Sequence, residues 1–177
     1  MANVQSIVPA VWTSTAADAG TNGDVYLGIG GREFHLDSPR DDFERGNAAN
    51  TAVGVNSQVK NPSMNDPRTP YALRTQDLGL FPVYLRLEGS DHWKVSFALV
   101  LVFSGPDASS MAVTDWFSAD VGYNGGQGGL WLGPNAGRWL YLRRSTRALV
   151  TKQLRAAKLL DAAKPFLSPP LRPRRRK

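Results

Sequence analysis

Cysteine is absent from the 177 residues. That excludes a disulfide framework and every cysteine-based zinc site. Histidine occurs only twice, as His35 and His92. Two are too few for a histidine-rich zinc site, although with carboxylates they could still form a mixed one. The longest apolar run, VSFALVLVF, has nine residues, far short of the roughly 20 that a membrane-spanning helix needs. The start, MANVQSIVPAVW, lacks a basic n-region and an extended apolar h-region. No cleavable signal peptide is therefore expected, which makes the cytoplasm or a peripheral membrane position the default location. Catalytic signatures are also missing. GIGG is followed by a strand pattern and not by a helix, so it fails as a dinucleotide fingerprint. GYNGGQGG lacks the Lys-Ser/Thr of a phosphate loop. GSDH at 89–92 holds the residue types of a hydrolase triad. Adjacent residues cannot all converge on one substrate, however, and no Gly-x-Ser-x-Gly elbow exists. The expectation is a protein without catalysis of its own.

What is present begins with a hydrophobic fraction of 42%, enough for one ordinary domain with a core and a short appendage. The net charge of +6 hides an asymmetry. Positions 143–177 hold twelve Lys or Arg and one acid, Asp161, a net +11, and positions 1–142 carry nine basic and fourteen acidic residues, a net −5. A mildly acidic body with a strongly basic end suggests two partners or two tasks.

The body reads as strands. In DVYLGI, Val25, Leu27 and Ile29 share one face by period-two alternation. Gly30 and Gly31 then supply a hairpin turn, and REFHLD resumes with Phe34 and Leu36. VYLRLE places Val83, Leu85 and Leu87 on one face. KVSFALVLVF is apolar on both faces and reads as a central strand covered from two sides. GLWLG and RWLYLR complete the set. The stretch 54–78, with Pro62, Pro67 and Pro70, reads as a long loop or an insertion. Short strands with turn signals indicate an antiparallel sandwich or barrel. Every core-like strand lies in residues 1–142, which are expected to fold alone as the β-sandwich domain. Residues 143–166 carry helix formers behind a possible N-cap at Ser145 or Thr146, with Pro165 as a stop. They are expected to form one basic amphipathic helix, with Val150, Leu154 and Ala157 on one side. Residues 167–177, ending in RPRRRK, are expected to be a disordered polybasic tail.

Four carboxylates, Asp37, Asp41, Asp42 and Glu44, crowd into LDSPRDDFERG at 36–46. This stretch, with DAGTNGDVYLGIGG before it and PVYLRLEGSDHWKVSFALV after it, resembles the PLAT domain, also called the lipoxygenase homology domain. The resemblance covers roughly residues 5–142, with WLGPNAGRWLYLR as the closing hairpin. It is similar to the C-terminal domain of clostridial phospholipase C toxins and the N-terminal domain of lipoxygenases. It implies an all-β, eight-stranded antiparallel sandwich of two four-stranded sheets, non-catalytic, that docks on a membrane or a protein partner.

The resemblance also implies calcium in loops at one end of the sandwich. Asp18, the carbonyl of Gly20, Asp91 and the carbonyl of His92 would hold one ion. Asp37, Ser38, the carbonyl of Arg40 and Asp42 would hold a second. The carbonyl of Thr21, with Asn22, Asp41 and Asp42, would hold a third. Such an all-oxygen set, mixing carboxylates with loop carbonyls, suits calcium. Ser38 stands where the family often has Asn, Arg40 where it often has Gly, and Asn22 where Asp is common. These departures lower the expected affinity, so one or two ions are expected. By the same resemblance Trp93, after the loop aspartate, is a candidate membrane contact, and equally a residue that caps the core. Trp116 and Phe117, in TDWFSAD, read first as core and second as an apolar loop tip that meets a membrane or partner, and Arg172, Arg174, Arg175, Arg176 and Lys177 are candidates as the anion-binding end.

The expected function is a binding module that docks on anionic lipid or a protein partner, assisted by calcium. The alternative is a protein-interaction or structural adaptor whose basic tail binds nucleic acid or an acidic partner.

Overall fold

The computed structural model describes residues 2–122 and 127–167. Among these, ten strands precede two helices: β1 (Asn3–Thr13), β2 (Asp24–Ile29), β3 (Arg32–His35), β4 (Ala48–Asn50), β5 (Val53–Gly54), β6 (Val83–Glu88), β7 (Trp93–Gly105), β8 (Ala112–Asp120), β9 (Leu130–Leu132), β10 (Trp139–Ser145), α1 (Arg147–Ala156) and α2 (Leu160–Leu167). The fold is mostly β and every paired strand is antiparallel. The strands form one curled path in the order β3-β2-β6-β10-β8-β7-β1-β4. β10 makes the turn: Trp139 to Leu142 pair with β6, and Arg143 to Ser145 pair with β8.

The inner faces of the curl enclose the main core. Val25, Leu27, Leu85 and Leu87 from one half meet Ile7, Val11, Val100 and Val102 from the other. The alternation in β2 and β6 is what allows this, since each strand aims its apolar residues to one side. β7 is buried on both faces, as its sequence suggests. Ala98, Val100 and Val102 face the main core, while Phe97, Leu99, Leu101 and Phe103 face outward under the helices. Toward its start the parity reverses, because Ser96 is skipped between the pairs Trp12↔Phe97 and Thr13↔Val95. The extra residue is a β-bulge, and it turns Trp93 and Val95 into the main core.

β1 was not singled out in the sequence. Pro9 lies in its middle, and proline is expected only where no ladder donor is needed. On the side away from β7, the partner edge is split there: β4 pairs from Ala10 onward and β5 pairs with Ser6 and Ile7.

The C-terminal segment departs from the expected single helix over 143–166. β10 continues to Ser145, and the helical part is broken between Ala156 and Leu160. Thr146 caps α1, its hydroxyl accepting from the Leu149 N–H at 3.2 Å. Lys158, with φ of 56°, ends it. The break has a packing reason. A continuous helix would place Leu159 about 200° around from Ala157, on the solvent side. The kink returns Leu159 and Ala163 to the sheet, where both are buried with Val150, Leu154 and Ala157 against Val8, Trp12, Phe97 and Leu101. Pro165 falls inside α2 and does not end it. No described helix is long and apolar enough to cross a membrane.

Residues 55–76 form a long loop tied to the hairpin of β2 and β3. The Arg32 guanidinium donates to the carbonyls of Asp66, Pro67, Thr69 and Tyr71 at 2.8–3.2 Å. Asn65 accepts from the His35 N–H at 2.7 Å.

Candidate functional site: three acidic loops at one end of the sheet

Three connections meet where β2 begins and β3 and β6 end: residues 14–23, 36–47 and 89–92. Register places Asp24 opposite Glu88 and Tyr26 opposite His35, so the loops leave the sheet side by side. Asp91 ties two of them together. Its Oδ2 accepts from the Thr21 hydroxyl at 2.9 Å and the Asn22 N–H at 2.8 Å, and its Oδ1 accepts from the His92 N–H at 2.8 Å. Partial burial works against ionisation of Asp91. The donors from Asn22, His92 and Thr21 outweigh it and hold the carboxyl below the usual carboxylate range.

The middle loop is organised by its own backbone. The Ser38 N–H donates to Asp42 Oδ2 at 2.6 Å, and the Arg40 N–H donates to Ser38 Oγ at 3.1 Å. Thr21, Asn22, Asp37, Arg40, Asp41 and Asp42 line one cavity of about 120 Å³. The whole third expected set and most of the second are therefore brought together. Ser38 lines the neighbouring concavity with Arg40, Asp41 and Asp42. Asp18, Gly20 and Asp91 of the first set line another, joined by Glu44 and Arg45. His92 is not among its lining residues, although its amide is tied to Asp91.

The local charge balance is informative. Among the described residues neither Arg40 nor Arg45 forms an ion pair, and neither do Asp18, Asp41 or Glu44. Asp37 is the exception. It lies 3.7 Å from Lys60 Nζ and 3.5 Å from His35 Nε2, and that same nitrogen is 3.0 Å from Asp24. Asp24, His35 and Asp37 offer three ligand atoms within 4.8 Å of one another, a mixed set that lies mostly outside the calcium residues. Lys60 reaches the cavity from the long loop. Sequence reasoning did not find it, since nothing local marks an approach made across the fold.

Beneath the loops sits a rigid base. Phe43 has a φ of 59° and Asp18 one of 55°, both in the left-handed region that costs non-glycine residues energy. Phe43 is held there by Trp93, with ring centroids 5.0 Å apart and planes at 65°. This decides between the two readings of Trp93 and corrects the membrane-contact one. It is fully buried and faces the core because of the Ser96 bulge, so it supports the loops and offers no surface to a membrane. Phe117 is likewise in the main core, and Trp116 is half-buried against the cluster under the helices. Both lie within β8, not at a loop tip. Arg172, Arg174, Arg175, Arg176 and Lys177 lie outside the described residues.

Neither a family model nor a curated protein matches the chain. Solved structures do. The Alpha Toxin from Clostridium absonum superposes with a TM-score of 0.50 and 22% identity, over 80% of this chain and 32% of the toxin. A Clostridium perfringens alpha-toxin from an avian strain gives 0.41 and 19%, over 81% of this chain and 30% of that one. A LOX (lipoxygenase) deletion variant gives 0.47 and 15%, over 90% of this chain and 20% of that one. The chain thus spans about a third of the toxins' length and a fifth of the lipoxygenase's. At such identity the likeness is one of fold alone, consistent with the PLAT-like β-domain that the sequence resemblance implies.

Proposed function

We propose that this chain is a non-catalytic module that docks on membrane lipid, assisted by calcium held in the acidic loops. One observation carries the reading. Carboxylates from three separate loops converge at one end of the fold, and among the described residues Asp18, Asp41 and Glu44 form no ion pair, although Arg40, Arg45 and Lys60 line the same cavities. Left so, they repel one another. A cation with 6–8 oxygen ligands would relieve that repulsion. The donors are all oxygen, which suits a hard ion. Asp18, Asp91 and the carbonyls of Gly20 and His92 would hold one ion. Asp41, Asp42, Asn22 and the carbonyl of Thr21 would hold another. The set of Asp37, Ser38, Asp42 and the Arg40 carbonyl is the weakest, since Asp37 already faces Lys60 and His35. One or two ions is the occupancy this supports. The bound ions would bridge to headgroup phosphates.

In this reading the curl is a two-layered, eight-stranded sandwich whose layers meet along β10. Residues 1–142 are the binding domain; 143–166, strand as far as Ser145 and helical beyond it, are its basic cover, and 167–177 a polybasic end. Calorimetric titration with calcium, together with vesicle sedimentation in calcium and in chelator, tests it. Calcium-dependent sedimentation supports the reading. No heat of binding and a melting temperature unmoved by millimolar calcium would sink the calcium part.

A further inference from the structure

We infer that the chain has a second lipid-facing surface, built from the outer row of β10 and the exposed side of α1. It needs no calcium and takes an anionic phospholipid surface. The inference rests on the lipid-docking reading but uses none of the acidic-loop residues.

In β10, Leu140 and Leu142 point into the core, so Trp139, Tyr141 and Arg143 point outward. Trp139 and Tyr141 are 48% and 62% exposed. α1 is anchored beside this row, where the Ser118 hydroxyl donates to Gln153 Oε1 at 3.1 Å. Between strand and helix runs a groove lined by Asp120, Tyr141, Arg143, Leu149 and Gln153. Leu149 is 47% exposed there. Tyr141 is fixed edge-on against Tyr84, with centroids 6.0 Å apart.

Positive charge continues from this groove over the exposed side of α1: Arg143 lines the groove itself, and Arg147, Lys152 and Arg155 line a separate concavity on the helix. Arg143, Arg147, Lys152, Arg155 and Lys158 are all exposed, and among the described residues none forms an ion pair. α1 contains no acid at all. The one acid at the groove, Asp120, accepts from the Gly122 N–H at 3.2 Å. Five unneutralised cations select an anionic partner. Trp, Tyr and Leu next to that charge select a lipid interface, where amphipathic rings and an apolar side chain sink to the headgroup boundary beside basic groups. A phosphate backbone alone would have no use for Leu149.

The surface is also continuous with the acidic end. At the start of β10 the Arg138 guanidinium donates to the Gly89 carbonyl at 2.9 Å, in the loop that carries Asp91. A chain lying along β10 would bring both surfaces to one membrane.

The test uses the full chain, in chelator, with vesicles of phosphatidylcholine plus phosphatidylglycerol against phosphatidylcholine alone. Binding to the mixed vesicles only is expected. Arg147→Ala with Arg155→Ala should weaken it on the order of 25-fold, about fivefold for each cation near an anionic surface. The polybasic end is the same in both proteins, so its contribution cancels. Tryptophan quenching by brominated lipid should be present in the parent and lost in Trp139→Phe, and Leu149→Ser should weaken binding several-fold. These residues are exposed, so the variants should melt like the parent. Undiminished binding of the arginine variant, or unchanged quenching in Trp139→Phe, overturns the inference. So does capture of a single-stranded oligonucleotide in place of the vesicles. Vesicle binding that appears only with calcium removes this surface and leaves the acidic-loop reading standing. Binding in chelator with no response to calcium does the reverse.

Discussion

The indole N–H of Trp93 donates to Thr13 Oγ1 at 2.9 Å, and that hydroxyl in turn donates to the Phe43 carbonyl at 3.2 Å. This short chain joins the end of β1, the start of β7 and the middle acidic loop. It holds Phe43 at a positive φ, from which Asp41, Asp42 and Glu44 project. Trp93, for which the sequence resemblance leaves membrane contact and core capping both open, is thus the floor on which the candidate cation site stands. Trp93→Phe keeps most of the packing and removes the donor. It should cost about 1–3 kcal/mol, the scale of a lost buried hydrogen bond, and should lower any calcium response by loosening the loop. Denaturant titration and calcium calorimetry on the same variant check both. A calcium response that survives full loss of that stability would show that the base and the loops are independent.

Calcium affinity should be weak, about 10⁻⁴ to 10⁻³ M. Asn22 and Ser38 contribute no charge, and Arg40 and Lys60 line the same cavity as Asp41 and Asp42. Asp42→Ala should do more harm than Asp37→Ala. Asp42 is shared between two candidate sets and orders the loop through the Ser38 N–H, whereas Asp37 is already occupied by His35 and Lys60. Lys60→Gln should strengthen binding by removing a competing charge. Calorimetric titration of the three variants gives the order directly.

Alternation made β2, β3, β6 and β10 legible in the sequence, and the run of apolar residues marked β7. The convergence of the loops was legible through motif resemblance. β1 was obscured by Pro9, which a sequence reader takes as a break and which the split between β4 and β5 accommodates. β8 was obscured by Asp115, an acid at a core-facing position, buried and paired with Arg144. The sense of Trp93 turned on Ser96, a bulge that no pattern of side chains announces. Each of these misses has the same cause: the partner that makes the residue acceptable comes from far along the chain.

The helices bear on whether the first 142 residues stand alone. Phe97, Leu99, Leu101 and Phe103 face α1 and α2 and are fully buried. Full burial of such a side chain contributes about 1.5–3 kcal/mol. Exposing four would cost on the order of 6–12 kcal/mol, comparable with the stability of a whole domain at about 5–15 kcal/mol. A chain ending at Arg144 should therefore lose its cooperative melt or aggregate, even though every strand is present. Leu154→Asp in the full chain should have the same effect in milder form. A truncated chain that melts cooperatively at the parent temperature would show that the helices are only loosely applied.

The outer face of β2, β3 and β6 carries a charge cluster whose effect on stability has a definite sign. Arg86 donates from Nε and Nη2 to the two oxygens of Glu33 at 2.8 Å each, and the Tyr84 hydroxyl donates to Glu33 at 2.9 Å. The hydrogen bonds from Arg86 are the largest influence on Glu33. Against some desolvation they hold its carboxyl below the ordinary glutamate value of about 4.3. A depressed carboxylate contributes stability that is complete above the unfolded value and is lost as pH falls through the folded one. Glu33→Gln should therefore be less stable than the parent at neutral pH. The pair is partly exposed, so the difference should be about 0.5–1 kcal/mol and smaller in high salt. It should shrink steadily below about pH 4 and vanish once Glu33 is protonated in the parent as well. Thermal melts of both proteins across that range, at low and high salt, measure it. A difference that stays constant into strong acid would mean that Glu33 acts through packing on Tyr84 and not through its charge.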